Sequence, residues 1–445
     1  MDEGAILKRM SGDAQARSGR SISLGIFWAV LISIILRGAM LGLGTGQFDD
    51  PDNYLPLARS VAEGRGLALD GRLTAYRPPL YPIILAPLLI LEGEHSFVAV
   101  GLLHLALGAG TVALTAAAAN RFGYSRPRAA AAAWIVALDP VLAWQCRFIM
   151  TETLTAFLIA AALYALALPR WRGCVLGGVI LGLANLSRPS ILPGAFLVIL
   201  ALLLVRPEPL RQRAQHAMMT ALAVLLVLTP WAVRNALVFG ELVWTTTHGG
   251  YTLALANNEV YYRDVLNGPA GRVWTGADQW LWWDSVNRAA AGMPEPQADR
   301  FLRNQALELA VREPVDFTRA TLQRLARFWS IAPAMAVYKP FVRYATAAWT
   351  LPLWIALGLG LSRRSSWQWP QISAPLMLVG LNLVHALYWT DLRMRAPVVP
   401  AIAILAASAT LPYRMLALVE RKWRGRETRE ERAVSPGDWE TATDS

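Results

Sequence analysis

The sequence predicts an all-α polytopic membrane protein. Of its 445 residues, 55% are hydrophobic and only 16% are charged, more apolar surface than one water-soluble core of this size carries. The apolar runs have the length of helices and alternate with short arginine clusters, as membrane spans alternate with cytoplasmic loops. Because the net charge of +11 is scattered over these clusters, it does not indicate nucleic-acid binding.

The first span is predicted at about 22–43. Four cationic residues precede it within residues 1–21, and the apolar run has no small-residue cleavage site, so we expect an uncleaved start-transfer helix. The cationic residues are Lys8, Arg9, Arg17 and Arg20. Since basic segments stay in the cytoplasm, residues 44–95 are expected outside.

The apolar segment from Leu80 to Leu91 is too short to be a second span. It has about 12 residues between Pro78-Pro79 and Glu92, whereas a helix needs about 20 to cross the hydrocarbon layer. If it crossed, the later arginine clusters up to the large external loop would all lie outside, against the positive-inside rule. We therefore expect it to lie in the interface.

The remaining clusters fix nine further spans and place both termini in the cytoplasm, which gives about ten spans. The spans are expected at about 96–120, 129–146, 153–169, 173–186, 190–205, 216–234, 341–361, 370–389 and 396–413. The predicted domains are a cytoplasmic segment 1–21, a transmembrane module 22–235 with the external loop 44–95, an external region 236–340, C-terminal spans 341–413 and a cytoplasmic tail 414–445 that is expected to be disordered.

Charged residues from distant parts of the sequence gather at the predicted outer ends of the spans. They are Asp49, Asp50, Asp52, Arg77, Arg147, Glu152, Arg188, Asp391, Arg393 and Arg395. Acids and guanidinium groups beside apolar segments suit a ligand that is anionic and partly apolar, such as a polyprenyl phosphate sugar. Sugar transfer from such a donor needs a carboxylate that removes the acceptor proton and cations that stabilise the departing phosphate.

Short motifs between residues 20 and 412 resemble those of a known family. They are Asp50 to Tyr54 (D-x-x-x-Y), the turn Tyr76 to Pro82, Met150 to Thr153, Leu183 to Pro189, Thr229 to Asn235, Gly249 to Tyr251, Asn257-Asn258 and Asp391 to Pro397. Their order and spacing resemble bacterial C-superfamily (GT-C) glycosyltransferases, the relatives of protein O-mannosyltransferases and of the lipid A aminoarabinose transferase.

The resemblance implies a GT-C-like bundle with interfacial helices in the first external loop and a small external loop domain. It also implies an inverting enzyme of the bacterial inner membrane that moves a sugar from a polyprenyl phosphate to a hydroxyl or amine on the periplasmic side. By position, Asp50 matches the catalytic aspartate, Glu152 the second acidic position, and Arg77 a lysine that contacts phosphate. The family's Asp-Glu pair is here Asp50-Pro51, which leaves the second acid open to Asp49 or Asp52.

The expected catalytic residues are Asp50, Asp49 and Glu152. The expected substrate-binding residues are Asp52, Tyr54, Arg77, Arg147, Arg188, Arg393 and Arg395. We expect no cofactor, although the acidic residues leave a divalent ion open. The expected partners are the lipid-linked donor, membrane lipids and a glycan, lipid or protein acceptor that the sequence does not identify.

Several site residues also have a purely structural interpretation. Asp50 could cap a helix at about 52–63, Arg77 could anchor the interfacial segment, and Glu152 could be a solvated acid at a helix N-terminus. Two other functions remain open, a lipid or glycan transporter and a non-catalytic binding protein. Transporters concentrate ionisable residues near the midplane, whereas these charges lie at predicted span ends, which favours the enzyme.

Overall fold

The computed structural model describes residues 24–42, 48–91, 94–269, 274, 277–334 and 338–409. The predicted cytoplasmic segment 1–21 and tail 414–445 lie outside this part of the chain. The described part is almost entirely helical, which confirms the predicted fold class. One two-stranded antiparallel hairpin, β1 (Ala68–Leu69) with β2 (Arg72–Leu73), interrupts the helices of the first external loop.

The helices follow one another with short connections. They are α1 (Leu24–Gly42), α2 (Tyr54–Ala62), α3 (Leu80–Leu85), α4 (Glu94–Arg121), α5 (Arg126–Leu138), α6 (Pro140–Gln145), α7 (Thr151–Leu166), α8 (Arg170–Ser187), α9 (Leu192–Leu204), α10 (Leu210–Phe239), α11 (Gly249–Ala256), α12 (Glu259–Tyr261), α13 (Ala277–Ala289), α14 (Glu295–Arg312), α15 (Pro314–Phe328), α16 (Pro340–Leu361), α17 (Ser373–Leu387) and α18 (Val399–Ser408). Shorter 3-10 turns cover Ala86–Ile90, Pro189–Ile191, Arg364–Trp367 and Leu392–Val398.

A helix lies at each of the ten predicted span positions. Within the described residues, four helices are long and apolar enough to cross a bilayer on their own, namely α1, most of α4, α10 and α16. The others are shorter or less apolar, so the count of ten spans stays a prediction. Small side chains let the helices approach closely: a Cβ added to Gly178 of α8 would lie 2.6 Å from the carbonyl oxygen of Thr220 in α10.

The predicted span 129–146 is broken in its second half. Proline has no backbone N–H, so α5 ends before Pro140 and carbonyl groups near the break lose their helical partners. Arg37 of α1 supplies new donors, at 3.2 Å to the oxygen of Val136 and 3.1 Å to that of Ala137. This buried guanidinium therefore fastens the first helix to the break.

The first external loop packs as a compact unit on the bundle. Its hairpin turns at Asp70-Gly71, where both residues are left-handed, with φ 50° and 75°, as a two-residue hairpin turn requires. The interfacial segment forms α3 and the 3-10 turn, and Tyr81 within it hydrogen-bonds His104 of α4 at 2.6 Å. The other ring nitrogen of His104 lies 2.7 Å from the carbonyl oxygen of Cys146. His104 is thus a hydrogen-bonded core residue.

The external region has a small apolar core of its own. Its buried members include Leu253, Tyr261, Trp274, Trp282 and Leu302. Glu295 of α14 ties the region to the first external loop, since its carboxylate accepts from the backbone N–H of Ala75 at 2.8 Å and from the hydroxyl of Thr74 at 2.7 Å. This connection sets the external helices against the loop that carries the predicted catalytic aspartate.

Candidate active site

Asp50 lies at the N-terminus of α2 with both carboxylate oxygens engaged. Its Oδ1 accepts from the N–H of Tyr54 at 2.9 Å and its Oδ2 from that of Leu55 at 2.7 Å. The capping interpretation therefore describes a real contact. Each oxygen keeps a second lone pair, so capping leaves the group able to accept a proton. Burial raises the pKa of Asp50 above its ordinary value, although the two amides and Arg77 act in the opposite direction.

Arg77 is held at this end of the molecule by two residues. Its Nη2 pairs with Oδ1 of Asp52 at 2.9 Å, and its Nε donates to the backbone oxygen of Asp52 at 3.1 Å. Its Nη1 lies 3.1 Å from Nε2 of His248, which precedes α11 in the external region. The guanidinium also lies over the ring of Tyr76, 5.3 Å from its centre.

Glu152 and Arg188 form a buried ion pair. Glu152 is in the first turn of α7 and completely buried, and its Oε1 lies 3.1 Å from Nη1 of Arg188, the residue that follows α8. The same Nη1 donates to the hydroxyl of Thr151 at 3.3 Å. The other terminal nitrogen of Arg188 faces the thioether sulfur of Met394 at 2.6 Å.

A second arginine repeats this arrangement. Arg393 pairs with Asp391 at 3.2 Å, and its Nη1 lies 3.0 Å from the sulfur of Met150, immediately before α7. Burial lowers the pKa of Arg393, but the charges of Asp391 and Glu152 outweigh burial and leave that pKa above its ordinary value. The guanidinium is therefore always charged.

These groups form one electrostatic cluster. Tyr54 links its two halves: burial raises the pKa of Tyr54, and the charges of Arg77, Asp52, Glu152 and Arg188 all act on it. The cluster draws on the first external loop, on two spans and on the segment before α18. Asp50 and Arg77 lie close enough for the charge of the guanidinium to act on the pKa of the aspartate.

Two further predicted residues, Asp49 and Tyr54, make contacts that hold the elements of the cluster together. The backbone oxygen of Asp49 accepts from the N–H of Ile149 at 2.9 Å, which ties the aspartate loop to the chain just before Glu152, while the Asp49 side chain is exposed. The buried ring of Tyr54 packs edge-on against Tyr81, with centres 5.5 Å apart. Their predicted roles toward a ligand stay predictions.

Two predicted arginines make their described contacts elsewhere. Arg147 lies over the ring of Trp144, 4.5 Å from its centre. Arg395 is buried and donates to the backbone oxygen of Ser330 at 2.7 Å, which fastens the end of α15 to the bundle. The substrate-binding role predicted for these two has no contact in the cluster to support it.

Sequence reasoning did not single out His248. It directly precedes the Gly249 to Tyr251 motif, which was the available signal. Its ring lies against Tyr76 and Tyr251, with centres 4.3 and 5.1 Å apart. The same tyrosines line a cavity of about 120 Å³ together with Trp283 and Leu302.

The chain is similar to known proteins in sequence over part of its length and in fold over most of it. Residues 67–245 match the dolichyl-phosphate-mannose-protein mannosyltransferase family. No curated protein matches the sequence.

Two similar solved structures are of the Archaeoglobus fulgidus oligosaccharyltransferase. The apo form has a TM-score of 0.51 at 16% identity over 94% of this chain and 53% of that one. The form tethered to an acceptor peptide with an NVT sequon has 0.50 at 15% identity, over 87% and 49%. The chain thus spans about half the length of that enzyme.

ArnT from Cupriavidus metallidurans bound to undecaprenyl phosphate is a more distant match, with a TM-score of 0.38 at 14% identity over 86% of this chain and 77% of that one. The fold of this chain is established by its similarity to the oligosaccharyltransferase structures, which have the higher TM-scores. The chain therefore shares the fold of the Archaeoglobus fulgidus oligosaccharyltransferase, and its residues 67–245 are similar to the dolichyl-phosphate-mannose-protein mannosyltransferase family.

Proposed function

We propose that this protein is an inverting glycosyltransferase that moves a sugar from a polyprenyl-phosphate donor to an acceptor hydroxyl or amine. The observation that carries the proposal is the pair Arg188 and Arg393, each of which directs a terminal nitrogen at a methionine sulfur. A thioether is a weak acceptor for a charged donor. A phosphate oxygen would replace it favourably, so the pair forms a ready anion site.

The acidic residues of the cluster differ in whether an arginine pairs with them. Arg188 and Arg393 are paired with Glu152 and Asp391, and Arg77 is paired with Asp52. Asp50 forms no ion pair within the described part of the chain, and the neighbouring positive charge of Arg77 does not overcome the effect of its burial on its pKa. A carboxylate with a raised pKa is a stronger base, which suits removal of a proton from the acceptor.

The proposed reaction is a single displacement. Asp50 takes the proton of the acceptor hydroxyl while that oxygen attacks the anomeric carbon from the face opposite the phosphate. The bond from that carbon to the phosphate oxygen breaks, and the phosphate leaves with the electron pair. Arg77, Arg188 and Arg393 stabilise the added charge on the leaving phosphate. The sugar is transferred with inverted configuration.

The proposed chemistry needs no metal ion, because guanidinium groups stabilise the leaving phosphate and an aspartate handles the proton. We further propose that the site faces the periplasm of the bacterial inner membrane. The positive-inside rule supports this orientation, since the arginine clusters between spans fall at the opposite ends of the helices. The acceptor stays open among glycans, lipids and proteins.

The proposal is tested with purified protein in detergent, radiolabelled polyprenyl-phosphate mannose or aminoarabinose, and a cell-envelope extract as acceptor. We expect label to pass from the donor to the extract and free polyprenyl phosphate to accumulate, in EDTA as in buffer. Comparing cell-envelope glycans by mass spectrometry with and without the protein then identifies the acceptor.

The anion site is tested by Arg188→Gln and Arg393→Gln. Each removes N–H groups that would contact the phosphate, and we expect the affinity for the polyprenyl-phosphate sugar to fall by about tenfold or more. Arg288→Gln is the matched control, because Arg288 is exposed on α13 and pairs with Asp284 four residues earlier. If both site variants bound the polyprenyl-phosphate sugar as tightly as the wild type, the two arginines would not form the anion site.

The same measurements separate the competing functions. A non-catalytic binding protein would bind the donor without releasing polyprenyl phosphate. A transporter would move intact donor across proteoliposomes, again without cleavage. Either result would replace the enzyme assignment.

A further inference from the structure

The orientation of Arg77 depends on a residue of the external region. Three contacts hold its guanidinium: two from Asp52 and one from His248, at distances between 2.9 and 3.1 Å. An arginine has five N–H donors. Within the described part of the chain these contacts engage three of them and leave two, the number that a phosphate accepts in a bidentate contact.

The contact with Arg77 fixes the chemical form of His248. Arginine only donates, so Nε2 of the imidazole must be the acceptor and carries no proton. The neutral ring then carries its single proton on Nδ1, which is buried and has no hydrogen-bond partner among the described residues. Burial of the ring and the charge of Arg77 lower the pKa of His248 well below its ordinary value, which keeps the ring neutral.

The surroundings hold this ring in place. It packs against Tyr76, the neighbour of Arg77, and against Tyr251 in the first turn of α11. The preceding residue, Thr247, donates its backbone N–H to the oxygen of Ala75 at 3.1 Å and its hydroxyl to Glu295. The backbone on both sides of the Arg77 contact is therefore tied together.

We propose that His248 is a positioning residue that holds Arg77 for contact with the donor phosphate, acting as a neutral acceptor through Nε2. The inference rests on the proposed function, because it assigns His248 to the phosphate contact of that reaction. Its consequence is that the external region helps to build the donor site. Asp52 restrains the Nε and Nη2 edge of the guanidinium, and His248 fixes the third nitrogen, Nη1.

The test measures binding of undecaprenyl phosphate to the full-length purified protein. We expect His248→Ala to weaken binding about tenfold, because Arg77 loses one of its restraints. His248→Gln keeps an acceptor oxygen near Nε2, so we expect it to restore most of the affinity. His95→Ala is the control, since His95 is exposed near the start of α4.

A double-mutant cycle separates positioning from a general structural effect. If His248 acts through Arg77, then His248→Ala has no further effect on binding in the Arg77→Ala background. Equal weakening in both backgrounds would overturn the inference and leave the proposed function standing. A wild-type protein that neither binds undecaprenyl phosphate nor transfers sugar would overturn both.

Discussion

At the scale of single residues, the site combines groups that serve the fold and groups that serve a ligand. Asp50 does both, since it caps α2 and keeps lone pairs for a proton. Arg395 lies two residues from Arg393 in sequence, yet it donates to backbone oxygens at the end of α15. The fold therefore sorts residues of one type into different roles.

Asp50→Asn tests the catalytic role of the aspartate against its capping role. The amide has one oxygen, so one of the two helix N–H groups loses its acceptor, at a cost of about 1 kcal/mol in stability. It cannot take a proton, so we expect transfer to slow by at least about 100-fold. Thermal unfolding and initial rates measure the two effects. A lower melting temperature with an unchanged rate per folded molecule would make Asp50 a cap only.

The raised pKa of Asp50 predicts the acid limb of the pH profile. A base acts only when deprotonated, so kcat/KM must fall as pH drops through the folded-state pKa of this group. Because that pKa lies above the ordinary aspartate value, we expect the fall to begin at a higher pH than a free aspartate would give. Rates across the pH range, with folding followed in parallel, check this. An acid limb at or below the ordinary aspartate value would contradict it.

At the scale of elements, the packing of the external helices depends on one glycine. Gly250, in the first turn of α11, lies against the backbone of α14, and a Cβ there would come within 1.9 Å of the carbonyl oxygen of Asp299. Its N–H donates to Oδ1 of Asp299 at 2.5 Å. The close approach sets where α11 lies, and His248 immediately precedes that helix.

Gly250→Ala is therefore expected to destabilise the external region by about 1–3 kcal/mol, because backbone atoms cannot yield as a flexible side chain does. Gly249→Ala is a matched control one residue earlier, where the added Cβ would be 4.0 Å from the nearest atom of Asp299. Thermal unfolding in detergent, followed by tryptophan fluorescence, compares them. Equal melting temperatures for the two variants would refute the close-packing argument.

The elements also show which features a sequence can predict. Arginine clusters mark helix ends, so a helix was expected at each span position and the cluster at the outer ends. Charge spacing does not say which face a residue occupies, so Arg147 and Arg395 could not be told from Arg188 and Arg393. The break at Pro140 lies inside the stretch predicted as one span, although an Asp-Pro pair is typical of a helix start, and the Asp70-Gly71 pair is typical of a two-residue hairpin turn. Sequence reasoning missed both signals.

At the scale of the whole molecule, charged groups from separate stretches of a helical bundle meet at one end. The first external loop, the ends of α7 and α8 and the segment before α18 each supply part of the cluster. His248 adds a contact from the external region. The site therefore forms only when these stretches pack together, because no single one of them contains it.

The predicted orientation of the bundle is tested by labelling single cysteines in sealed cells with a membrane-impermeant thiol reagent. We expect Arg126→Cys, at the exposed start of α5, to react only after the membrane is opened, and Asp284→Cys, at an exposed position of α13, to react in intact cells. Both native cysteines are buried, which keeps the background low. If the Arg126→Cys variant were labelled from outside, the predicted orientation of the bundle would be wrong.

The contact between Arg37 and the break at Pro140, in the third predicted span, has a consequence for biosynthesis. The guanidinium meets its carbonyl partners 99 and 100 residues further along the chain. When α1 first leaves the ribosome, those partners do not yet exist, whereas Ser33, whose hydroxyl accepts from the same guanidinium at 2.6 Å, is already present in α1. The contact that fastens α1 to the bundle can therefore form only after translation has delivered α5.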